Sequence, residues 1–518
     1  MGLLALNRLI YMRRDRRRRP IQGPNGLVNS AAKRKESPCP RDGNSRSEKI
    51  LRYSGTSLPE DIWHHIHSLL PLRDAARVAC VSHSFQRSWK RYPSLTITSE
   101  TLGLENEMSS AKVSVVLANR TNHILGNHSG EGIKALELQI NDFPIFTASS
   151  DVDRWLRVAL RAGIEKLDLR LCLHSRDADV YNFPYPLFLN GSGKSIQDLH
   201  LRNCAFRPTA GLGCLTSLTS LSLWYVHITG DELRCLLSSS VALVKLTLVS
   251  CNELIFLEIP SLLQRLSHLV VRDCESLEVI EIRTPNLYSF RCDAALVRLS
   301  LGDSLQNFKF FHSSWDVFHY ACKNLPHMVP NLEALDIFSP YVSDSLVVPG
   351  KFLQLRRLCI GFISPDYDYL SLVPFLDACP SLETFTLYVE PDAIEEQSVL
   401  GDSCHDDLRR VQGHLHRNIK EVRIIGFCSA KSLVELTCHI LENAESLQRL
   451  TLDTLYNGGG GLCSYGKNAT KCLWMSRGMI VEAHKALSSV ERYIVGKVPS
   501  SVELKVVEPC SRCNPLEI

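Results

Sequence analysis

The sequence predicts an α/β solenoid: a horseshoe of short parallel strands, opened by a small three-helix module and closed by a helix-plus-strand cap. Three observations predict it. A six-residue pattern, aliphatic-x-x-aliphatic-x-aliphatic, returns twelve times between residues 133 and 452. Ahead of it, residues 57–95 carry three short apolar-periodic runs divided by Pro71. After Leu452 a helical pattern through about Ala483 to Ile494 gives way to a strand pattern near Val502 to Val507. Five segments follow: a basic tail (1–54), the three-helix module (55–95), a linker or first capping segment (96–130), the repeats (131–455) and the cap (456–518).

The chain has 518 residues, 45% of them hydrophobic and 22% charged, which is ordinary for a soluble globular protein. Its formal charge of +3 hides an asymmetry. Residues 1–50 carry 13 Lys or Arg against 4 Asp or Glu, and the remainder 45 against 51. The folded part is therefore mildly acidic, and nucleic-acid binding would rest on the tail alone. Arg13, Arg14 and Arg16–Arg19, then Lys33, Arg34 and Lys35, form two basic clusters around a Pro/Gly/Asn-rich spacer. Such sequence buries too little apolar surface to offset its ordering entropy and is expected to be disordered. It reads as a two-part nuclear import signal or as an undedicated basic extension, so the expected location is nucleus and/or cytoplasm.

No apolar run reaches the roughly 18 residues a membrane helix needs. The arginines follow the apolar start rather than precede it, the wrong order for a secretory signal. Leu6 also breaks the myristoylation pattern. The sequons at Asn119, Asn127, Asn190 and Asn468 are then coincidental, and the 19 cysteines are expected as thiols. Cys510 and Cys513 form a lone C-x-x-C, a weak signal for zinc or redox chemistry.

Within the three-helix module, Ser57-Leu-Pro-Glu60 spells a capping box, with Pro59 in the first turn. Ile62, Ile66, Leu69 and Leu70 mark one apolar face, and Pro71 ends that helix. Leu72, Ala75, Ala76, Val78, Ala79 and Val81 suggest a second helix. Ser82 caps a third, with Phe85 and Trp89 on one side. Three such helices hide too little surface to stand alone, so a partner surface is implied. His64 and His67 share a helix face, but no acidic or cysteine partner accompanies them at ligand spacing. A solvated polar face is expected there rather than a metal site.

"LPEDIWHHIHSLLPLRDAARVACVSHSFQRSW" resembles an F-box, the motif that docks a protein onto the Skp-type adaptor of a cullin ubiquitin ligase. His83, ahead of Ser84 and Phe85, stands where the family often has Lys or Arg. The resemblance implies that Leu58, Pro59, Ile62, Leu72, Val78 and Val81 face the adaptor.

The repeated pattern begins at residues 133, 164, 196, 218, 243, 266, 296, 332, 355, 382, 419 and 447. Spacings of 22, 25 and 23 across the third to sixth hits fit a leucine-rich repeat, and longer gaps elsewhere make the array irregular. Each x-Leu-x-Leu segment is a strand whose leucines enter a shared core while the x positions face the concave side. Cys172, Cys204, Cys251 and Cys274 fall five residues after the strand's first leucine, where such repeats place Asn or Cys to satisfy backbone groups; they read as structural. Residues 151–163, 231–243 and 431–447 read as amphipathic return helices. "LIFLEI" (254–259) and "LEVIEI" (277–282) intervene at half the repeat, so part of the outer face should be extended chain.

Asp168, His200, Ser222, Thr247, Asp336, Thr386 and Arg423 occupy outward positions and are the candidates for holding a target. They show neither a charge block nor an aromatic cluster, which argues against a nucleic-acid groove and for a protein partner. "VEAHKALSSVERYIVGKVPSSVELKVVEPCSRC" is similar to the C-terminal region of grass F-box/leucine-rich-repeat proteins related to the FBD group. With the F-box and repeats, the resemblance implies a plant substrate receptor of a Skp–cullin–F-box ubiquitin ligase. The alternative is an F-box scaffold acting outside ubiquitination. No phosphate loop, H-E-x-x-H or G-x-S-x-G occurs, and "GGGG" at Gly458–Gly461 lacks the following Lys-Ser/Thr. No catalytic residue, cofactor or metal ligand is assigned.

Overall fold

In a strand, successive side chains point to opposite faces, so x-Leu-x-Leu-x sends its second and fourth residues one way and the rest the other. That alternation builds the main sheet of the computed structural model. The structure describes residues 59–510 apart from 81–82, 105–109, 130–132, 141–148, 161–162, 172–179, 190–191, 210–214, 294–297, 303, 312–316, 340–347, 363–366, 391–397, 401–407, 412 and 456–474. The basic tail, Ser57, Leu58, Val81, Ser82, Cys172, Asn190, Asn468, the Gly458–Gly461 run and Cys513 lie outside the described residues.

Among the described residues, fifteen parallel strands form the main sheet. It opens with β1 (Ser94–Ile97), β2 (Ala135–Gln139), β3 (Lys166–Arg170), β4 (Asp198–Arg202), β5 (Ser220–Trp224) and β6 (Lys245–Val249). Three stretches follow, β7 (Phe256–Ile259), β9 (Val279–Ile282) and β11 (Arg298–Ser300), that form a separate parallel sheet in the order β11-β9-β7. The main sheet continues between and beyond them as β8 (His268–Arg272), β10 (Ser289–Asp293), β12 (Asn307–Phe311), β13 (Ala334–Ser339) and β14 (Arg357–Phe362). It ends with β15 (Thr384–Tyr388), β16 (Glu421–Ile425), β17 (Arg449–Asp453) and β18 (Glu503–Val507). The register sets leucine beside leucine: Leu136, Leu167, Leu199, Leu221 and Leu246 pair in turn. All five are fully buried, as stacking of repeats requires.

One repeat is placed differently from the sequence reading. "LVRLSL" (296–301) was expected in the main row, yet it supplies β11 of the outer sheet, while β10 and β12 take the main-sheet places. The reading followed the Leu-x-Leu spelling. β10 and β12 turn Phe290, Cys292, Phe308 and Phe310 inward instead, with the rings of Phe290 and Phe308 stacked at 5.3 Å.

After the N-terminal module, α1 (Glu60–Ser68), α2 (Leu72–Ala79) and α3 (His83–Trp89), return helices cover the rest: α4 (Ser110–Asn127), α5 (Ser149–Leu160), α6 (Gly230–Ser239), α7 (Val317–Met328), α8 (Val373–Asp377) and α9 (Lys431–Asn443). α5, α6 and α9 stand where amphipathic periodicity placed them; α4 and α7 were not anticipated, and α7 contains Pro326. α6 starts on a reciprocal cap between Thr229 and Glu232. Its first residue must be glycine for a packing reason: a Cβ on Gly230 would sit 2.5 Å from the Phe256 carbonyl oxygen of β7. The outer face thus changes from helix to extended chain there, as expected.

After β4, β5, β6 and β8 the chain turns through the left-handed region at Asn203, Tyr225, Ser250 and Asp273. Each turn donates its N–H to the next strand's end: to the carbonyls of Trp224, Val249, Arg272 and Asp293, at 2.8–3.0 Å. Cys204, Cys251 and Cys274 follow three of these turns and are fully buried. Cys251 Sγ lies 3.7 Å from the Leu223 carbonyl and Cys274 Sγ 3.4 Å from that of Arg272. Burial pushes the Cys204 thiol up to about 12. These buried cysteines finish the arch.

The cap helix α10 (Arg477–Ser489) starts six residues earlier than expected, on a Ser476 cap, and runs into a wide turn over Val490–Ile494. Buried Glu482 accepts the Ser429 N–H at 2.7 Å, tying α10 to the preceding repeat. β18 pairs with β17 and ends the sheet. Leu58–Ile518 form one compact unit.

Candidate functional site

The N-terminal module is built from α1 (Glu60–Ser68), α2 (Leu72–Ala79) and α3 (His83–Trp89). Pro59 and Pro71 immediately precede α1 and α2, and their carbonyls accept the first helical N–H groups, from Ile62 and Trp63 and from Asp74 and Ala75. Proline suits both places because it presets φ and has no N–H to satisfy. Pro59 is therefore the residue before the helix rather than one inside its first turn. Glu60 and Asp61 in the first turn complement the helix dipole.

His67 corrects the reading of this helix. It is 1% exposed, not solvated. Its Nε2 lies 2.9 Å from the Ala75 carbonyl of α2, and its ring packs against Phe85, Trp89 and Tyr92. An imidazole satisfies a buried carbonyl while filling an aromatic pocket, which a leucine could not do. The module is fixed to the array beyond it: the Tyr92 hydroxyl donates to the Leu70 carbonyl at 2.6 Å, and His128 Nε2 meets the Tyr92 carbonyl at 2.9 Å.

On the outer side of α1, Ile62, Ile66 and Leu69 are 43%, 37% and 71% exposed. Their spacing places them along one helical stripe. Of the six adaptor-facing candidates, Pro59 and Ile62 are exposed and Val78 is half-buried. Leu72 is buried within the core and is not presented to a partner, since the turn at Pro71 directs it inward beside Ala75. Leu58 and Val81 lie outside the described residues.

On the concave face, the register brings the seven target candidates into one row, the third position of each strand. Asp168, His200, Ser222 and Thr247 are consecutive neighbours, and Asp336 leads through Cys359 to Thr386 and Arg423. Three of them are buried: Asp168, Thr247 and Asp336. Asp168 accepts from Arg170 Nε at 2.9 Å and Nη2 at 2.6 Å, with His200 Nδ1 at 3.4 Å. Burial alone would raise its carboxyl, but the His200 and Arg170 hydrogen bonds outweigh it and hold the group below the usual carboxylate range. Asp336 is held by Lys309 Nζ at 2.6 Å. These carboxylates are engaged by their own neighbours.

A second outward row, the fifth position, was missed. Arg170, Arg202, Trp224, Val249, Arg272 and Asp293 lie side by side there. It contains Trp224, whereas the third-position candidates Asp168, His200, Ser222, Thr247, Asp336, Thr386 and Arg423 include no Phe, Tyr or Trp. The Arg202 guanidinium lies 5.9 Å from the Trp224 ring centre and 5.4 Å from that of Tyr225. The signal was present in "LSLWYV": a strand's fifth residue shares the face of its third. Farther along, the Phe338 ring lies across Gly361, whose Cβ would run into it, and reaches Tyr388 at 5.8 Å. Among the described residues no group of three or more His, Cys, Asp or Glu is placed to hold a metal. No helix there is long and apolar enough to cross a membrane.

Residues 124–511 match the family model described as At1g61320/AtMIF1, LRR domain, and residues 56–96 match the F-box domain. The chain belongs to the plant F-box/leucine-rich-repeat family. Its relatives include the F-box protein At5g03100 of Arabidopsis thaliana, 25% identical, covering 58% of this chain and 91% of that one. The F-box/FBD/LRR-repeat protein At3g26920 of the same plant is also 25% identical, over 77% of this chain and 89% of its own. Among solved structures, the internalin InlF of Listeria monocytogenes overlays with a TM-score of 0.34 and 14% identity, over 65% of this chain and 88% of that chain. An F-box joined to leucine-rich repeats gives the chain the general layout of a non-catalytic substrate receptor.

Proposed function

We propose that the chain is the substrate-recognition subunit of a cullin-type ubiquitin ligase, its F-box docking on a Skp-type adaptor and its repeats holding the target protein. The exposed stripe of Ile62, Ile66 and Leu69, on a module whose other side is tied to the array, carries this reading. Large aliphatic side chains kept in water on a rigid helix mark a surface meant for a partner. Ligation would then follow from proximity: a target held on the repeats meets the conjugating enzyme at raised effective concentration.

The test is co-purification with a Skp-type adaptor. Leu58→Ala with Pro59→Ala is expected to abolish it while the melting curve of the repeats is unchanged; unchanged adaptor capture would refute the reading. The basic clusters in residues 1–50 favour a second reading, a nuclear scaffold outside ubiquitination. A cullin pull-down separates the two, and fusing residues 1–50 to a reporter tests import: a uniformly cytosolic signal removes it.

A further inference from the structure

The fifth-position row contains one cation unlike the others. Arg170 is engaged by Asp168, and Arg272 by Asp293, which Arg291 of the third row also meets, at 2.6–2.8 Å. Arg202 has no carboxylate partner among the described residues, and its Nε is buried without a hydrogen bond. Its guanidinium is instead placed by two rings. The Trp224 indole is itself fixed, donating from Nε1 to Ser222 Oγ at 2.9 Å. Tyr225 is the other oddity. Its φ is 55°, in the left-handed region, where a bulky side chain is strained. The equivalent turns use Asn203, Ser250 and Asp273, short residues better suited to that conformation. Tyr225 is nevertheless 37% exposed, so a core does not demand it. A guanidinium with no carboxylate among the described residues, an oriented indole and a tyrosine kept at a conformational cost converge on one point of the concave face.

We propose that Arg202, Trp224 and Tyr225 are the recognition point for an acidic segment of the target, an Asp or Glu carboxylate meeting Arg202 with an adjacent apolar side chain against the two rings. This rests on the receptor reading, since it places the target on the repeats. Charge complementarity selects the occupant. One guanidinium that meets no carboxylate among the described residues matches one carboxylate; a phosphate dianion calls for more such cations than the described part of this face offers. A nucleic-acid strand calls for a continuous basic stripe, and Asp168, Asp293 and Asp336 interrupt this face.

The experiment selects a displayed random-peptide library on the immobilised full-length chain, then measures the enriched peptides by fluorescence anisotropy. Phosphoserine versions and a single-stranded oligonucleotide serve as comparison probes. Enriched sequences are expected to carry Asp or Glu beside an aliphatic or aromatic residue. Arg202→Glu should weaken them roughly tenfold or more, and Arg202→Lys by less. Tyr225→Asn should weaken binding while keeping or raising the melting temperature, the opposite of what a purely structural tyrosine would do. Should Arg202→Glu fail to fold, Trp224→Ala and Arg202→Gln make the same comparison. Enrichment without acidic preference, equal affinity for Arg202→Glu, or binding confined to the phosphopeptide or the oligonucleotide overturns the proposal. Peptides that bind wild type and Arg202→Glu alike leave the receptor reading standing; a chain that enriches no peptide removes both.

Discussion

The F-box and the concave face present outward side chains in opposite ways. Along α1 and its C-terminal end, the aliphatic residues Ile62, Ile66 and Leu69 remain partly in water. On the concave face, polar side chains largely answer one another: Asp168 with Arg170 and His200, Asp336 with Lys309, Asp293 with Arg272 and Arg291. An apolar stripe offers affinity with little discrimination, as a shared adaptor would need. A face whose charges are already paired resists most partners and yields only to one that replaces those pairs or uses what is left uncommitted. The difference teaches that general docking and particular recognition can be assigned to separate surfaces by asking which outward groups lack a partner.

The comparison breaks most sharply at the stripe. Ile62→Asp with Leu69→Asp places two charges where an adaptor would bury them, and adaptor affinity is expected to fall roughly a hundredfold or more. The melting temperature should stay within about 2 °C, because both positions are exposed. The matched change on the other surface, Arg423→Glu, should leave adaptor binding untouched. Pull-down and thermal melting of both variants provide the check; a large loss of stability in the first would mean the stripe is part of the fold.

A smaller effect is expected from His67→Ala, which removes the hydrogen bond to the Ala75 carbonyl and the filling of the Phe85, Trp89 and Tyr92 pocket. A lost bond together with a partly filled cavity costs about 2–3 kcal/mol. Because the loss is local, protease should cut within residues 59–92 before the repeats, and adaptor binding should fall along with folding. His65→Ala, at an exposed position, is the control and should do neither.

How far the sequence showed these features depends on how local they are. Strand identity is nearly local: Leu-x-Leu alternation made β2–β6 readable. It failed at β10 and β12, where Phe290, Cys292, Phe308 and Phe310 fill the leucine places, and it misplaced "LVRLSL" because spelling does not say which layer a strand joins. The apolar face of α1 was readable from spacing, whereas the burial of His67 and Leu72 depends on how α2 and α3 return across it. The third-position row was found from the pattern and the fifth-position row was not, although both face the same side. What no pattern shows is commitment. That Asp168 is engaged, by Arg170 two residues along its own strand and by His200 on the next, while Arg202 meets no carboxylate among the described residues, follows from side-chain placement and register together.

The gentlest test sets buried imidazoles against a buried, hydrogen-bonded carboxylate, and its variable is pH. His128, His416 and His439 have imidazoles held below the usual value, in each case first by burial. The folded chain keeps them neutral at a pH where the unfolded chain, near its ordinary 6.5, takes up protons. Their contribution is therefore undiminished above about 6.5 and is lost as pH falls from there through the lowered folded values, then levels off. Asp168 works in a lower window, since its folded value lies below the ordinary 3.8. Its contribution is present in full above that value and is lost as pH falls through the folded one. Denaturant melts against pH should thus show two separate declines. His416→Gln with His439→Gln should shrink the upper one and Asp168→Asn only the lower, with adaptor binding above pH 7 unchanged in both. A single decline, or an upper one unaffected by the histidine substitutions, would show that burial of these imidazoles is not what couples the fold to protons.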